Sequence, residues 1–364
     1  AFIGDSTTVN VNGDVIVRAN AIEDSFSLTA GLAVTTGDGA AVAGAFSFLF
    51  LKGDTTAYIG DNARVFAGGN VLVQAADRTD GDILSGQGSF GAQSAGVGGS
   101  FAVTPIVKDT EAYIGQGAQV TALGNSNSTI AVVDGDWNDN DPSTKDVKGL
   151  GVQALSKENL FTATVSGAGG KSYVNVAGAI SATAVRSTTS AHVAENVQIN
   201  KDNTGAGSEQ SVNIAATNDV DLLTVDGSLS IAGNKVGVGV SGSIDVGLVL
   251  NETTAFVGNG SVVNVEQDLD VHALSKWDVV SFVISGSLGI GKVAVGVAGA
   301  ASLYAIGVGY DDDAKDTMTA QDGSGSAAGD IDTQLAIDGS DPSTGDAAGT
   351  AVMLDYLGSY ETET

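Results

Sequence analysis

The sequence predicts an all-β protein built as a repetitive β-solenoid, that is, a parallel β-helix. Three observations predict it: a four-residue motif that recurs five times, a period-two alternation of aliphatic residues after the motif, and glycine-rich runs that would make poor helices. An internal repeat decides how the other patterns are interpreted.

The motif pairs a small residue with an aromatic ring and an aliphatic side chain, and we call it the anchor. It occurs at intervals of 56, 55, 79 and 64 residues. The five copies are Ala1-Phe2-Ile3-Gly4, Ala57-Tyr58-Ile59-Gly60, Ala112-Tyr113-Ile114-Gly115, Ala191-His192-Val193-Ala194 and Ala255-Phe256-Val257-Gly258. The repeats therefore begin near residues 1, 57, 112, 191 and 255.

The residues after each anchor keep the same register. An aliphatic residue stands eight positions after each anchoring alanine, at Val9, Val65, Val120, Ile199 and Val263. Further on, apolar residues alternate with other residues, as in the run from Val71 to Ala75, which is typical of a strand with one face turned inward. The alternation thus predicts a strand in the first half of every repeat.

Glycine-rich runs occupy the second half of each repeat, for example residues 236–240, and their period-two pattern also predicts strands. A repeat of this length suggests two or three coils of about twenty residues, hence some fifteen coils in a rod on the order of 70 Å long. The alternative is an array of antiparallel hairpins that turn at Gly37-Asp38-Gly39 or Gly233-Asn234-Lys235, because Asn and Asp next to Gly favour hairpin turns.

Two polar insertions account for the longer intervals. They lie around residues 124–128 and 134–148 in the third repeat and at residues 200–210 in the fourth, and we expect them to protrude as loops on one face. The repeat array is predicted to cover residues 1–310. Residues 311–364 form an acidic tail rich in Gly, Ser and Asp, which we interpret as a cap or linker.

Composition restricts the partners. The chain of 364 residues has a formal net charge of −28, which opposes binding to nucleic acid and to anionic lipid. It contains no cysteine, so disulfides and thiolate chemistry are excluded. The uncharged run at residues 293–310 is interrupted by glycine and alternates with period two, so we predict a strand there and no membrane span.

The second anchor and its flanks, Thr55-Thr56-Ala57-Tyr58-Ile59-Gly60 followed by Val65, Gly68-Gly69, Val71 and Val73, resemble repeats of very large bacterial exoproteins. These are the filamentous haemagglutinin-like and leukotoxin-type filamentous adhesins. The resemblance covers residues 1–310 and implies an extracellular or cell-surface location, a β-helical shaft and a role in adhesion. The fourth anchor departs from the pattern at His192 and Ala194, and the tail does not match.

Candidate catalytic residues are few, and we expect no enzyme. His192 holds the aromatic position of the anchor and is predicted to join a stack of side chains between layers. His272 lies one step off the inward register and is expected to be solvated. No Ser-His-Asp arrangement is indicated. A polysaccharide-active β-helix enzyme remains an alternative, because the same scaffold can carry paired carboxylates across coils.

The acidic insertion is a candidate calcium site. Oxygen-bearing side chains stand at alternate positions, at Asp134, Asp136, Asn138 and Asn140, as ligands of Ca²⁺ require. The segment departs from the helical calcium loop, since Asp139 stands where that loop has Gly and Lys145 where it has Glu. A solvated loop without a metal is the alternative, and no other cofactor is expected.

The function predicted from the sequence is a structural shaft or filament segment of a secreted bacterial surface adhesin. The alternative is an adhesive module that binds a cell-surface glycan or protein through its inserted loops. The first anchor starts at residue 1 without a polar capping segment, so we expect the array to continue, either in a longer polypeptide or by stacking of copies.

Overall fold

The computed structural model describes residues 1–93, 95–138, 141–171 and 173–307. All regular structure in these residues is β, in eighteen strands. The strands form three sheets of parallel neighbours, and one antiparallel pair is added in the third repeat. The predicted β-solenoid is confirmed, and the chain winds as a stack of coils.

Each coil passes once through three sheets, which we name the corner, front and back sheets. The corner sheet contains β2 (Thr8–Val11), β6 (Arg64–Ala67), β9 (Gln119–Ala122), β13 (Gln198–Ile199) and β16 (Val262–Val263). The front sheet contains β3 (Val15–Thr35), β7 (Val71–Gly91), β11 (Asp141–Gly170), β14 (Gln210–Gly233) and β17 (Leu269–Ile290). Strand β10 (Ile130–Asn138) pairs with the beginning of β11.

The back sheet carries the chain to the next anchor. It contains β1 (Phe2–Ile3), β4 (Ala41–Phe48), β5 (Leu51–Ile59), β8 (Ala95–Ile114), β12 (Val174–Val193), β15 (Val236–Val257) and β18 (Val293–Ile306). The front strand and the back strand of a coil belong to different sheets, so the turns at residues 37–39 and 233–235 are not hairpins. The antiparallel hairpin array is therefore wrong.

The five predicted anchors lie in one column. Parallel pairing places Tyr58 beside Phe2 and Tyr113, and His192 beside Tyr113 and Phe256. The corner after each anchor has one residue with positive φ, at Ser6 (55°), Asn62 (56°), Gly117 (69°), Asn196 (59°) and Gly260 (72°). Asn and Gly adopt this conformation most readily, which explains their recurrence at the corner.

Each repeat is a single coil, which corrects the expected two or three. The front strands are 20 residues long or more, whereas typical strands have about five or six. One repeat thus forms one turn of the solenoid. At about 4.8 Å per layer, the first and fifth coils lie about 19 Å apart, not on the order of 70 Å.

The interior changes character along the strands. Near the corner sheet it is an aliphatic core, in which Val73, Val152 and Ile214 are fully buried one above the other. Farther along, the inward residues are polar or small, such as Ser85, Thr164 and Asp226, which lie between the front and back sheets. The outward residues of the same segment are often apolar, such as Leu28 and Phe282.

The coil stack forms one compact unit, Ala1–Tyr304. The expected strand near residue 293 is present as β18, which ends at Ile306. No helix among the described residues has the length and apolar character to cross a membrane. The tail at residues 311–364 lies outside the described residues.

Candidate interaction surfaces

An aromatic stack runs along the outside of the anchor column. Its rings are nearly parallel, with centroids 5.1 Å apart between Phe2 and Tyr58 and 4.9 Å apart between Tyr58 and Tyr113. His192 continues the stack, 5.3 Å from Tyr113 and 4.8 Å from Phe256. The predicted position of His192 in a side-chain stack is confirmed.

The stack affects the titration of His192. Burial between the two rings lowers the pKa of its imidazole, because the charged form loses hydration there. Ser190 Oγ lies 3.2 Å from His192 Nδ1, and the carboxylate of Glu111 is 3.9 Å away. These contacts fix the ring orientation, and the histidine is a structural member of the column.

The sequence did not indicate that charged side chains lie between the two long sheets. Lys108 of β8 is fully buried, and its Nζ lies 2.7 Å from Asp77 Oδ1 and in contact with Glu23. Desolvation lowers the pKa of Lys108 to about 8. Asp77 also accepts a hydrogen bond of 2.8 Å from Thr55 Oγ1, so the ion pair is held from both sheets.

Glu158 extends this buried group into the next coil. Its Oε1 accepts hydrogen bonds from Ser156 (2.6 Å) and Ser187 (2.9 Å). Desolvation raises the pKa of the Glu158 carboxyl to about 7, despite these bonds and the charge of Lys108. Glu158 is only 1% exposed, so no substrate reaches it in this conformation.

A second buried acid pair lies in the fourth coil and links it to the third and fifth coils. Ser181 Oγ hydrogen-bonds Asp226 Oδ2 and lies 2.7 Å from Asp245 Oδ1, and Tyr304 donates to Asp245 Oδ2 over 2.8 Å. A hydroxyl carries one proton, so Ser181 binds both acids most favourably when one of them is protonated. In agreement, burial raises the pKa of Asp226 to about 7.

The acidic insertion folds back as a hairpin, which corrects the expectation of a protruding loop. Strand β10 pairs antiparallel with the first residues of β11, and Ile130 and Val132 pack on Leu72 of the front sheet. Gln153 fastens the hairpin by accepting from the backbone N of Val133 (3.0 Å) and donating to the carbonyl of Ala131 (3.0 Å). Packing of apolar side chains holds the insertion against the outer face.

This hairpin also covers His272, which was expected to be solvated. His272 lies on the outer face in register with Arg18 and Gln74, as the alignment predicted. Gly135 of the hairpin packs so closely on the imidazole that a Cβ there would lie 2.7 Å from Cε1. No local pattern indicates this cover, because the contact joins two repeats that are distant in the chain.

The calcium candidates lie on the same hairpin. Asp134 accepts hydrogen bonds from Ser143 Oγ (2.6 Å) and from the backbone N of Asp136 (3.1 Å). Asn138 ends β10, and Asn140 lies outside the described residues. Across the part of the chain that the structure describes, no group of three His, Asp or Glu side chains is arranged to hold a metal ion. The calcium site stays a prediction.

Known proteins add no analogy. Comparison of the chain with family models, with curated proteins and with solved structures found no match.

Proposed function

We propose that this chain is a segment of the structural shaft of a secreted bacterial surface adhesin. Its coils would continue end to end with further coils, supplied by the same polypeptide or by another copy. The observation that carries the proposal is the constant register: every coil repeats the same column positions although the insertions differ in length. The resemblance of the anchor to filamentous adhesin repeats supports the extracellular setting.

The end coils expose apolar side chains whose equivalents in the middle coils are buried. Leu269 and Val271 of β17 are 46% and 41% exposed, whereas their neighbours Val212 and Ile214 in β14 are fully buried. The two edge strands of the front sheet, β3 and β17, each have a front-sheet neighbour on one side only within the described residues. An unpaired edge of this kind is a template for another strand. Stacking is therefore the favoured mode of association.

The location of the charged residues disfavours the enzymatic alternative. Three ionisable side chains whose pKa values are strongly shifted by burial, Lys108, Glu158 and Asp226, lie between the sheets with no more than 1% of their surface exposed. A catalytic acid or base needs contact with its substrate. Here Lys108 pairs with Asp77 and Glu23 of the front sheet, while Glu158 and Asp226 accept hydrogen bonds from serines of the back sheet, which suits a structural role.

Electron microscopy of the purified chain tests the shaft. We expect end-to-end particles or fibres for the wild type, and shorter particles for a variant with Val271→Lys and Val279→Lys, because inward-pointing charges blunt an edge strand. Val42→Lys, on the exposed outer face of the back sheet, is the matched control and should leave the fibres intact. Single unstacked particles for the wild type at high concentration would overturn the proposal.

A further inference from the structure

The outer surface of the front sheet contains an uncovered apolar area, which we call the distal face. It consists of the outward columns that contain Phe26, Leu28, Ala30, Leu32 and Val34, across all five front strands. Phe26 is 65% exposed and Leu32 73%, and Ile284 in the fifth coil is 69% exposed. The inward neighbours of these residues are mostly polar, so the apolar side chains cannot be explained by the chain's own core.

The distal face has the size of a protein interface. Five strands at about 4.8 Å and nine residues at about 3.3 Å give an area on the order of 700 Å². The largest apolar patch on a typical monomer is about 300–600 Å², and a standard interface buries about 800 Å² on each partner. One charged side chain, Asp82, lies among these columns. The general repulsion between chains of charge −28 is thus weakest here.

Charges of opposite sign border the distal face on its two sides. On the side nearer the corner sheet, one outward column contains Asp24, Asp80, Asp221 and Asp278. Beyond the other side, the turns into the back sheet carry lysines in the last three coils, at Lys171, Lys235 and Lys292.

The two borders are too far apart to meet within one coil. Twelve residues of extended strand separate Asp221 from the end of β14, which corresponds to about 40 Å. Burial and the neighbouring carboxylates of Asp278 and Asp219 raise the pKa of Asp221, and the nearby Lys276 and Lys157 offset this only in part. A cation from a second chain would therefore add complementary charge beside Asp221.

We propose that a second copy of this chain packs on the distal face. The two front sheets lie face to face, with strands antiparallel across the contact and a twofold axis parallel to the stack. This operation keeps each coil opposite the same coil of the partner and places the aspartate column of one copy over the lysine turns of the other. Asp221 then faces Lys235 of the second copy, and Asp278 faces Lys292. The contact is isologous, so it closes as a dimer.

Rotation about an axis along the strands would instead place the aspartate columns on each other. The charge pattern therefore selects one of the two face-to-face arrangements. A membrane is a poorer occupant for two reasons. An apolar lipid surface offers no charges to pair with the aspartate column and the lysine turns, and the aspartate column opposes anionic headgroups. Coil 1 is the weak end of the dimer, since Asp38 stands at its turn opposite Asp24.

Sedimentation velocity of the full chain at physiological salt tests the apolar part of the contact. At micromolar concentration, below the high concentration at which end-to-end stacking is tested, we expect a dimer, and at least tenfold weaker dimerisation for Phe26→Lys. Phe46→Lys is the matched control, because Phe46 is equally exposed (62% against 65%) in the same coil but on the back sheet. Wild-type monomers, or equal effects of the two substitutions, would overturn the proposal.

A charge exchange between copies tests the arrangement. The variant Asp221→Lys/Asp278→Lys and the variant Lys235→Asp/Lys292→Asp should each be monomeric, because each pairs like charges across the twofold axis. An equimolar mixture should restore a heterodimer, since every introduced charge then meets its opposite. A mixture that remains monomeric would contradict the arrangement. So would binding of monomeric wild type to zwitterionic phosphatidylcholine vesicles with no dimer in solution.

Discussion

The buried Glu158 carboxyl makes the stability of the coil stack depend on pH. Its pKa rises from a usual 4.5 to about 7 in the folded chain, so the folded state binds the proton more tightly than the unfolded state. Stability from this group is then fully present below pH 4.5 and is lost as the pH rises towards 7.

Glu158→Gln removes this dependence. We expect the variant to be more stable than the wild type at pH 8 by about 1–3 kcal/mol, and nearly equal to it at pH 4.5. Chemical denaturation at both pH values measures the difference. Glu252 is exposed, and Glu252→Gln is the control for the loss of one negative charge. An equal gain in the two variants would show that general repulsion, not the buried position, is responsible.

The pH dependence of stability that His192 contributes has the opposite sign. Its folded-state pKa is lowered, so stability decreases as the pH falls below its usual value of 6.5. Replacement by phenylalanine, as in the fifth anchor, preserves the stack and removes the titrating group. We expect His192→Phe to stabilise the chain by about 0.5–1 kcal/mol at pH 7 and by more at pH 5. Thermal unfolding at the two pH values checks this, and a gain that is independent of pH would contradict it.

At the scale of elements, the repeat register was predictable and the path of each coil was not. The anchor and the following alternation are local patterns, and the pairing of Val9 with Val65 confirms them. Local pattern does not give strand length, because Asp80-Gly81 is a turn dipeptide and yet β7 runs unbroken from Val71 to Gly91. The sequence could not reveal that one repeat is one coil.

Alternation also does not show which face is inward. In β7 the inward residues change from Val71 and Val73 to Asp77, Thr79 and Ser85, and apolar residues such as Leu84 take the outward positions. Period two is the same in both cases. The buried charges around Lys108 were therefore beyond sequence reasoning, since Asp77 lies on the opposite sheet and Glu23 and Glu158 lie in other coils.

The inserted hairpin carries the untested calcium prediction. Calorimetry with Ca²⁺ should show binding in the millimolar range or tighter, because Asp134 and Asp136 supply carboxylate oxygens two residues apart in β10. Asp134→Asn together with Asp136→Asn should abolish it, while Asp202→Asn in the second insertion should not. No heat and no change in melting at millimolar Ca²⁺ would leave a solvated hairpin without a metal.

At the scale of the whole molecule, stacking and lateral pairing use different surfaces. Stacking uses the edges of β3 and β17, whereas the proposed dimer uses the outer face between them. Variants of the edge should shorten the fibres without changing the dimer. Variants of the distal face should weaken the dimer without shortening the fibres. Both depend on the same premise, that every repeat contributes one layer.

Disulfide trapping in the outward aspartate column measures that premise most directly. The chain has no cysteine, and registered neighbours in parallel strands lie about 4.8 Å apart, within reach of a disulfide. We predict rapid cross-linking at low protein concentration for paired cysteines at Asp24 and Asp80, at Asn159 and Asp221, and at Asp221 and Asp278. Cysteines at Asn159 and Val225 should react slowly, because they are four residues out of register. Equal rates in registered and shifted pairs, or no cross-link in any registered pair, would contradict the single-coil repeat.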